Sequence, residues 1–332
     1  MQKLYKHDGA ATSSAMLALA IGIGVIVPGG AQAQEFPTRP VSLVVPFAPG
    51  SSFDAGARLV AEEMSKQLGE RAIVENRTGA AGSIGYNYVA KSEKDGHTVL
   101  VGYSTTTTCS HALNSNVTWE IADLEPIGIY ATQPLVAVIP ASLGLKSVAD
   151  FVSYAKSRPD GVSYGSSGNG SHSHLTAINF SIATGTDLTH VPYKGIGEVI
   201  PDLVSERLQL SFPGPGDIKQ HVLAGSVTAL AVASDQRSPL LPDVPTMQEA
   251  GVDGMNTEGW TGLFVPAGTP PEVIEKLSGT LRDVVQNDEF KEKALNAGLV
   301  IRYFGRDEMK ARIETETAEC VDLVKSARIE LN

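Results

Sequence analysis

Apolar positions along this chain follow two rhythms. "VSLVVPF" (41–47), "AIVEN" (72–76) and "HTVLVGY" (97–103) are short apolar-rich runs of the kind that form strands in sheets covered on both sides. Between the first two, Val60, Met64 and Leu68 recur every four residues, which predicts a helix that Gly69 stops. "NRTGAAGSIG" leads into a second helix ending near Lys91, and Asp95-Gly96 turns the chain into the third strand. Together these predict one βαβαβ unit.

The alternation resumes after a long extended stretch, "IGIYATQPLVAVIP" (127–140), with Pro134 inside it. Pro159-Asp160-Gly161 turns into the strand "VSYG", and "SSGNGSHSH" opens a helix through Ile178 and Ile182 to Gly185. "LTHVPY", a helix over "EVIPDLVSERL", then "LQLSF" and "VTALAVAS" continue the pattern, and "GWTGLFVPAG" (259–268) is extended again. Pro270 and Pro271 suit the first turn of a helix whose buried face is Ile274, Leu277, Leu281, Val284 and Val285. The pattern predicts an α/β chain of two domains, each a mostly parallel sheet flanked by helices and joined by crossing strands. The first domain is expected to be discontinuous, 36–131 plus 257–332, and the second to span 132–256, with a ligand cleft between them.

The first residues bear on the compartment. Lys3 and Lys6 precede a twelve-residue apolar run, Met16–Val27, and Ala31 and Ala33 stand as in an A-x-A cleavage site. The run is too short to span a bilayer, so a signal peptide over 1–33, cleaved after Ala33, is expected, with an exported, periplasmic protein as the product and no membrane insertion. The formal charge of −11 becomes −12 once that segment is removed, which argues against binding nucleic acid through a basic face. An acidic chain also repels an anionic ligand at long range, so any anion site must be built locally. Cys109 and Cys320, the only cysteines, are compatible with a disulfide or with two separate buried thiols.

Several segments in order carry a family likeness. "FPTRPVSLVVPFAPGSSFDAGARLVAEEMSKQLG", "VENRTGAAGSIGYNYVAKSEKDGHTVLVG", "SVADFVSYAKSRPDGVSYGSSGNGS", "HVPYKG", "VTALAVASDQRSPLLPDVPTMQEAG" and "GLFVPAGTP" resemble the solute receptors of tripartite tricarboxylate transporters, the Bug receptors. The resemblance implies two hinged α/β domains, a cleft closing on a small organic carboxylate, and membrane permease subunits that accept the solute; no catalysis and no cofactor are implied, and a monomer is expected. It departs from the family pattern in two loops. Ser51-Ser52-Phe53-Asp54 stands where many relatives read G-S-T-D, and Pro213-Gly214-Pro215-Gly216 where many carry an Asp; both loops are expected to face the cleft, so the departures bear on ligand identity more than on fold.

The resemblance places the ligand on the loop after the first strand, and the residue chemistry agrees. Gly50, Ser51, Ser52 and Phe53 lie where a helix N-terminus offers unpaired N–H groups. The dipole is worth only roughly 0.3–1 kcal/mol, so convergent donors must do the rest. Asp54 and Arg58, spaced i,i+4, are assigned a structural capping role, since a carboxylate beside an anion site would repel the ligand. Ser166, Ser167, Asn169, Gly170 and Ser171 repeat the device in the second domain, and Tyr103, Thr105, Thr106 and Tyr193 add walls; Lys194 fits a solvated loop lysine as well as a ligand contact. Two such loops suit a dicarboxylate, and Phe53 suits an aromatic or bulky carboxylate unless its ring turns inward to staple the helix.

Enzyme readings find little support. Asn169, four residues after Gly165, breaks G-x-S-x-G, and neither glycine-rich loop fits G-x-G-x-x-G. His172 and His174 form H-x-H without a third ligand, and His111 and His190 stand apart, so no metal is expected. The alternatives are a sensing receptor for a signalling partner and a serine hydrolase pairing Ser167 with His190.

Overall fold

The computed structural model describes residues 36–326 apart from Asp160. The expected signal peptide and its cleavage point therefore lie outside the described residues, as do the middle of the turn at 159–161 and the Ser52 side chain.

A six-stranded and a five-stranded sheet carry the fold. The first begins with β1 (Val41–Val45), followed by α1 (Ser52–Leu68), β2 (Ala72–Asn76), α2 (Ser83–Ala90) and β3 (Thr98–Tyr103). β1 pairs parallel with both β2 and β3, as the apolar runs implied. Val60, Met64 and Leu68 are buried against this sheet, and Gly69 ends α1 at φ 74°, a left-handed value that a side chain would resist. A helix that the threonine-rich segment does not advertise comes next, α3 (Ser104–Leu113). β-Branched residues disfavour helices, but Thr107 and Thr108 return their hydroxyls to the carbonyls of Tyr103 (2.8 Å) and Ser104 (2.9 Å).

β4 (Leu124–Gln133) then pairs antiparallel with β10 (Gly259–Pro266), and β10 with β3, so the sheet, expected to be mostly parallel, is mixed. The extended stretch at 127–140 is two strands in two sheets. Pro134 and Leu135 separate β4 from β5 (Val136–Pro140), which opens the second sheet. After α4 (Val148–Lys156) come β6 (Val162–Ser166), α5 (His172–Thr184), β7 (Leu188–Pro192), α6 (Ile196–Val204), β8 (Leu210–Ser211), α7 (Pro215–Leu223) and β9 (Val227–Val232). Its strand order is β7-β6-β8-β5-β9, parallel around β6 and antiparallel around β5. β10 returns the chain to the first sheet, which α8 (Pro271–Gln286), α9 (Asp288–Asn296), β11 (Val300–Phe304) and α10 (Arg306–Ser326) complete. Each sheet buries apolar side chains on both faces: Leu43, Val101 and Leu281 on one face of the first and Val44, Tyr86 and Trp260 on the other. Ala137, Phe151 and Phe180 do so on one face of the second, and Val138, Val199 and Ile218 on the other.

Cys109 on α3 and Cys320 on α10 form a disulfide, with Cα atoms 5.7 Å apart across a separation of 211 residues. Sequence spacing could not choose between a bridge and two thiols. The tertiary fold does so by laying α10 against α3.

Candidate functional site

The loop from β1 to α1 is shaped first by its cap. Gly50 turns at φ 78°, and the Ser51 hydroxyl accepts the Asp54 N–H (3.2 Å). The Asp54 carboxylate reaches back to the Gly50 N–H (2.9 Å), holds Arg58 through both oxygens (2.9 and 3.0 Å), and accepts from the Asn76 amide (2.9 Å). Burial alone would raise this carboxyl, but the hydrogen bonds from Arg58, Gly50 and Asn76 outweigh it and hold Asp54 below its ordinary range. Asp54 is thus saturated inside the fold. Phe53, one residue earlier, stacks on Phe47 (centroids 4.5 Å) and meets Tyr103 edge-on (4.6 Å).

The second loop enters α5 in the same way. Gly170 turns at φ 71°, the Ser171 hydroxyl accepts the His174 N–H (3.3 Å), and His174 Nδ1 accepts the Gly170 N–H (2.9 Å). His174 stacks on His190 at 3.9 Å; burial and its neighbour's charge lower it to about 4, so the ring is neutral and free to accept. Burial lowers His190 as well. Ser173 accepts the Ser167 N–H (3.0 Å) and its hydroxyl lies 3.1 Å from the Ser167 hydroxyl.

His172 joins the two halves. Its Nε2 donates to the Thr257 carbonyl, so Nδ1 is left to accept from the Tyr103 hydroxyl (2.8 Å). Burial brings this imidazole to about 4, and burial raises the Tyr103 phenol, so both are neutral at ordinary pH.

A cavity of about 910 Å³ lies between the sheets. Phe47, Ser51, Phe53 and Tyr103 line it from the first sheet's side, and Ser167, Ser173 and the segments 194–196 and 212–217 from the second. The crossing residues Thr132–Leu135 and the turn Leu295–Val300 complete it. Four expected site residues therefore meet there: Ser51, Phe53, Tyr103 and Ser167. Thr105, Thr106, Asn169 and Gly170 instead line a separate pocket of about 140 Å³, where the α2, α3 and α5 entries converge. Gly50 and Ser171 are on neither wall and serve the caps, and Ser52's backbone opens α1. Tyr193 donates to Asp202 (2.6 Å) inside its own sheet's layer; burial and that carboxylate raise its phenol to about 12. Ser166 is fully buried on His190 Nε2 (2.6 Å), so the Ser167–His190 pair a hydrolase would need is absent from the hydrogen bonds: Ser167 is engaged by Ser173. Among the described residues no cluster of three or more His, Cys, Asp or Glu side chains is arranged to hold a metal.

The 213–216 loop, expected to face the cleft, does line this cavity, but the helix behind it was not among the expected elements. Gly214-Pro215 starts α7, a proline-at-N1 signal that was available, and α7 brings Gly216, Asp217 and Lys219 to the wall. Gly216 nearly touches Gly298 of the α9–β11 turn; a Cβ on Gly216 would sit 3.2 Å from the Gly298 Cα. Lys194, Asp217 and Lys219 are the only residues with charged side chains among those lining the cavity, apart from the neutral His172. Desolvation at the cleft wall raises the carboxyl of Asp217, itself an exposed residue, against the pull of the Gly214 N–H.

The comparisons with known proteins agree with one another. Residues 56–327 match the model of the "Tripartite tricarboxylate transporter family receptor". Protein BugT of Bordetella pertussis is 33% identical over 80% of this chain and 83% of its own length. Among solved structures, Rpa4515 of R. palustris with adipate is 34% identical, with a TM-score of 0.78, covering 90% of this chain and all of that one. MatC of Rhodopseudomonas palustris with bound malate is 29% identical, with a TM-score of 0.73, over 87% of this chain and all of that one. Such proteins are periplasmic solute-binding receptors and not enzymes. The segments 36–69, 74–102 and 147–171 thus carried more than a chance likeness: the chain belongs to the tripartite tricarboxylate transporter receptor family.

Proposed function

We propose that this protein is exported to the periplasm, captures a small organic carboxylate with an apolar body between its two sheets, and delivers it to tripartite tricarboxylate transporter permease subunits. The observation that carries this reading is the 910 Å³ cavity, which combines the α1 entry at Ser51, an aromatic wall of Phe47, Phe53 and Tyr103, and the hydroxyls of Ser167 and Ser173 opposite. Hydroxyls and N–H groups at the helix entry suit the carboxylate, and the aromatic rings suit the apolar body. That relatives were solved with adipate and malate supports the ligand class. The domains divide at 131/132 and 256/257, and ligand shifts an open–closed equilibrium about the crossings.

Thermal unfolding with aliphatic and aromatic mono-, di- and tricarboxylates tests this. A ligand at a hundred times its Kd adds about 2.7 kcal/mol to the folded state. The melting temperature should rise for at least one acid, with compaction in solution scattering. If no acid raises it, the reading fails.

A further inference from the structure

We propose that Lys219 recognises a second carboxylate at the far end of the ligand and makes the receptor select diacids over monoacids. This rests on the reading of the 910 Å³ cavity as the ligand cleft. The sequence pattern assigned the second ligand end to Ser166–Ser171, but Ser166 is bound to His190, Ser171 caps α5, and Asn169 and Gly170 line a different pocket, which leaves only the Ser167 hydroxyl of that loop in the cleft. Two of the three charged residues lining the cleft, Asp217 and Lys219, come instead from α7.

Three observations single out Lys219. Gly216 and Lys219 are three residues apart on α7, so they share a helix face, and Gly216 is the residue packed against Gly298 of the first sheet's side. Lys219 lines the cleft half-buried, and its ammonium has no hydrogen bond or ion pair among the described residues. An ammonium at the cleft wall with no protein partner is open to a ligand carboxylate, which supplies a charge-assisted contact. Lys194 also lines the cleft, but it is exposed and stays better hydrated when the cleft is empty. Asp217 does not cancel the site. It is the third residue of α7, and its carboxylate folds back on Gly214, where the cap lacks a side-chain acceptor. In a chain of formal charge −11, the cleft wall thus carries two lysines against one aspartate engaged with its own helix.

Titration calorimetry with adipate and hexanoate, two six-carbon acids that differ by one carboxylate, tests the assignment. The wild-type protein should bind adipate more tightly. Lys219→Met should weaken adipate about tenfold or more and leave hexanoate unchanged, the size expected of a charge-assisted contact. Lys219→Arg should retain most of the preference. If Lys219→Met weakens both acids equally or neither, the assignment to Lys219 is overturned. Phe53→Ala keeps the two readings apart. Loss of both acids in Phe53→Ala with an unaltered adipate-to-hexanoate ratio in Lys219→Met sinks only the lysine; binding untouched by either variant sinks the cleft itself.

Discussion

At Gly50 and again at Gly170 the chain enters a helix by the same backbone route. The glycines turn at φ 78° and 71°, and Ser51 and Ser171 cap at φ −68°, ψ 161° and φ −67°, ψ 160°. In each, the third helical residue reaches back to the glycine N–H: Asp54 with a carboxylate, His174 with a neutral imidazole. In each, the second helical residue faces the cleft: Phe53 with a ring, Ser173 with a hydroxyl. Identical geometry therefore carries a charged, ion-paired lock and an apolar wall on one side, and an uncharged lock and a polar wall on the other. The backbone sets where a side chain goes, and the residue at that place sets what the wall can bind.

The largest effect should come from removing the charged lock. Asp54→Ala strands the Gly50 N–H, removes one of the two acceptors of the Asn76 amide and leaves Arg58 without its carboxylate, and urea unfolding should register a loss of about 2–4 kcal/mol, limited by the partial exposure of Arg58. His174→Ala should cost about half as much; equal losses would mean that the charge adds nothing to the lock. Acid should then separate the two locks. His172 and His174 stay neutral in the folded protein down to about pH 4, whereas the unfolded chain takes up these protons near pH 6.5. The unfolded state therefore binds more protons between those values, and stability should fall as pH drops from about 6.5 to 4. Asp54, with its lowered pKa, keeps its contribution through that window and yields it only below, as pH falls through its folded value. Urea midpoints from pH 7.5 down to pH 2 should show the first decline flattened in His174→Gln and the second in Asp54→Asn.

The two walls are compared next. Phe53→Ala should weaken an apolar-bodied carboxylate about tenfold, close to 1.4 kcal/mol, in calorimetry at unchanged folded structure. Ser173→Ala should change the same affinity less, and the reverse ranking would remove the aromatic wall from the argument. The smallest effect is expected where the halves touch: in Gly216→Ala the new methyl must be accommodated against Gly298 at 3.2 Å, and ligand affinity should fall about twofold to threefold.

Much of this was readable along the chain because it is local. Buried strands such as "VSLVV" and the Val60–Met64–Leu68 face announce themselves by period, and Ser51 with Asp54 is recognisable as a cap because both partners lie within one helical turn. Phe53 was ambiguous between core and cleft for the opposite reason: its neighbours Phe47 and Tyr103 come from different strands' ends, and only their meeting turns the ring to the cavity wall. The helix at 104–113 was hidden because its threonines read as β-formers until their hydroxyls find carbonyls one turn back.

The sequence by itself determined the α/β class, the family and the order of the strongly periodic elements, since these depend on periodicity and on motifs a few residues long. Only the tertiary structure decided that Cys109 meets Cys320, that Asn169 and Gly170 leave the large cleft to Ser167 and Ser173, and that Lys219 stands in its wall. Each of these follows from how separate elements pack in space, and no local pattern encodes a distance between residues a hundred positions apart.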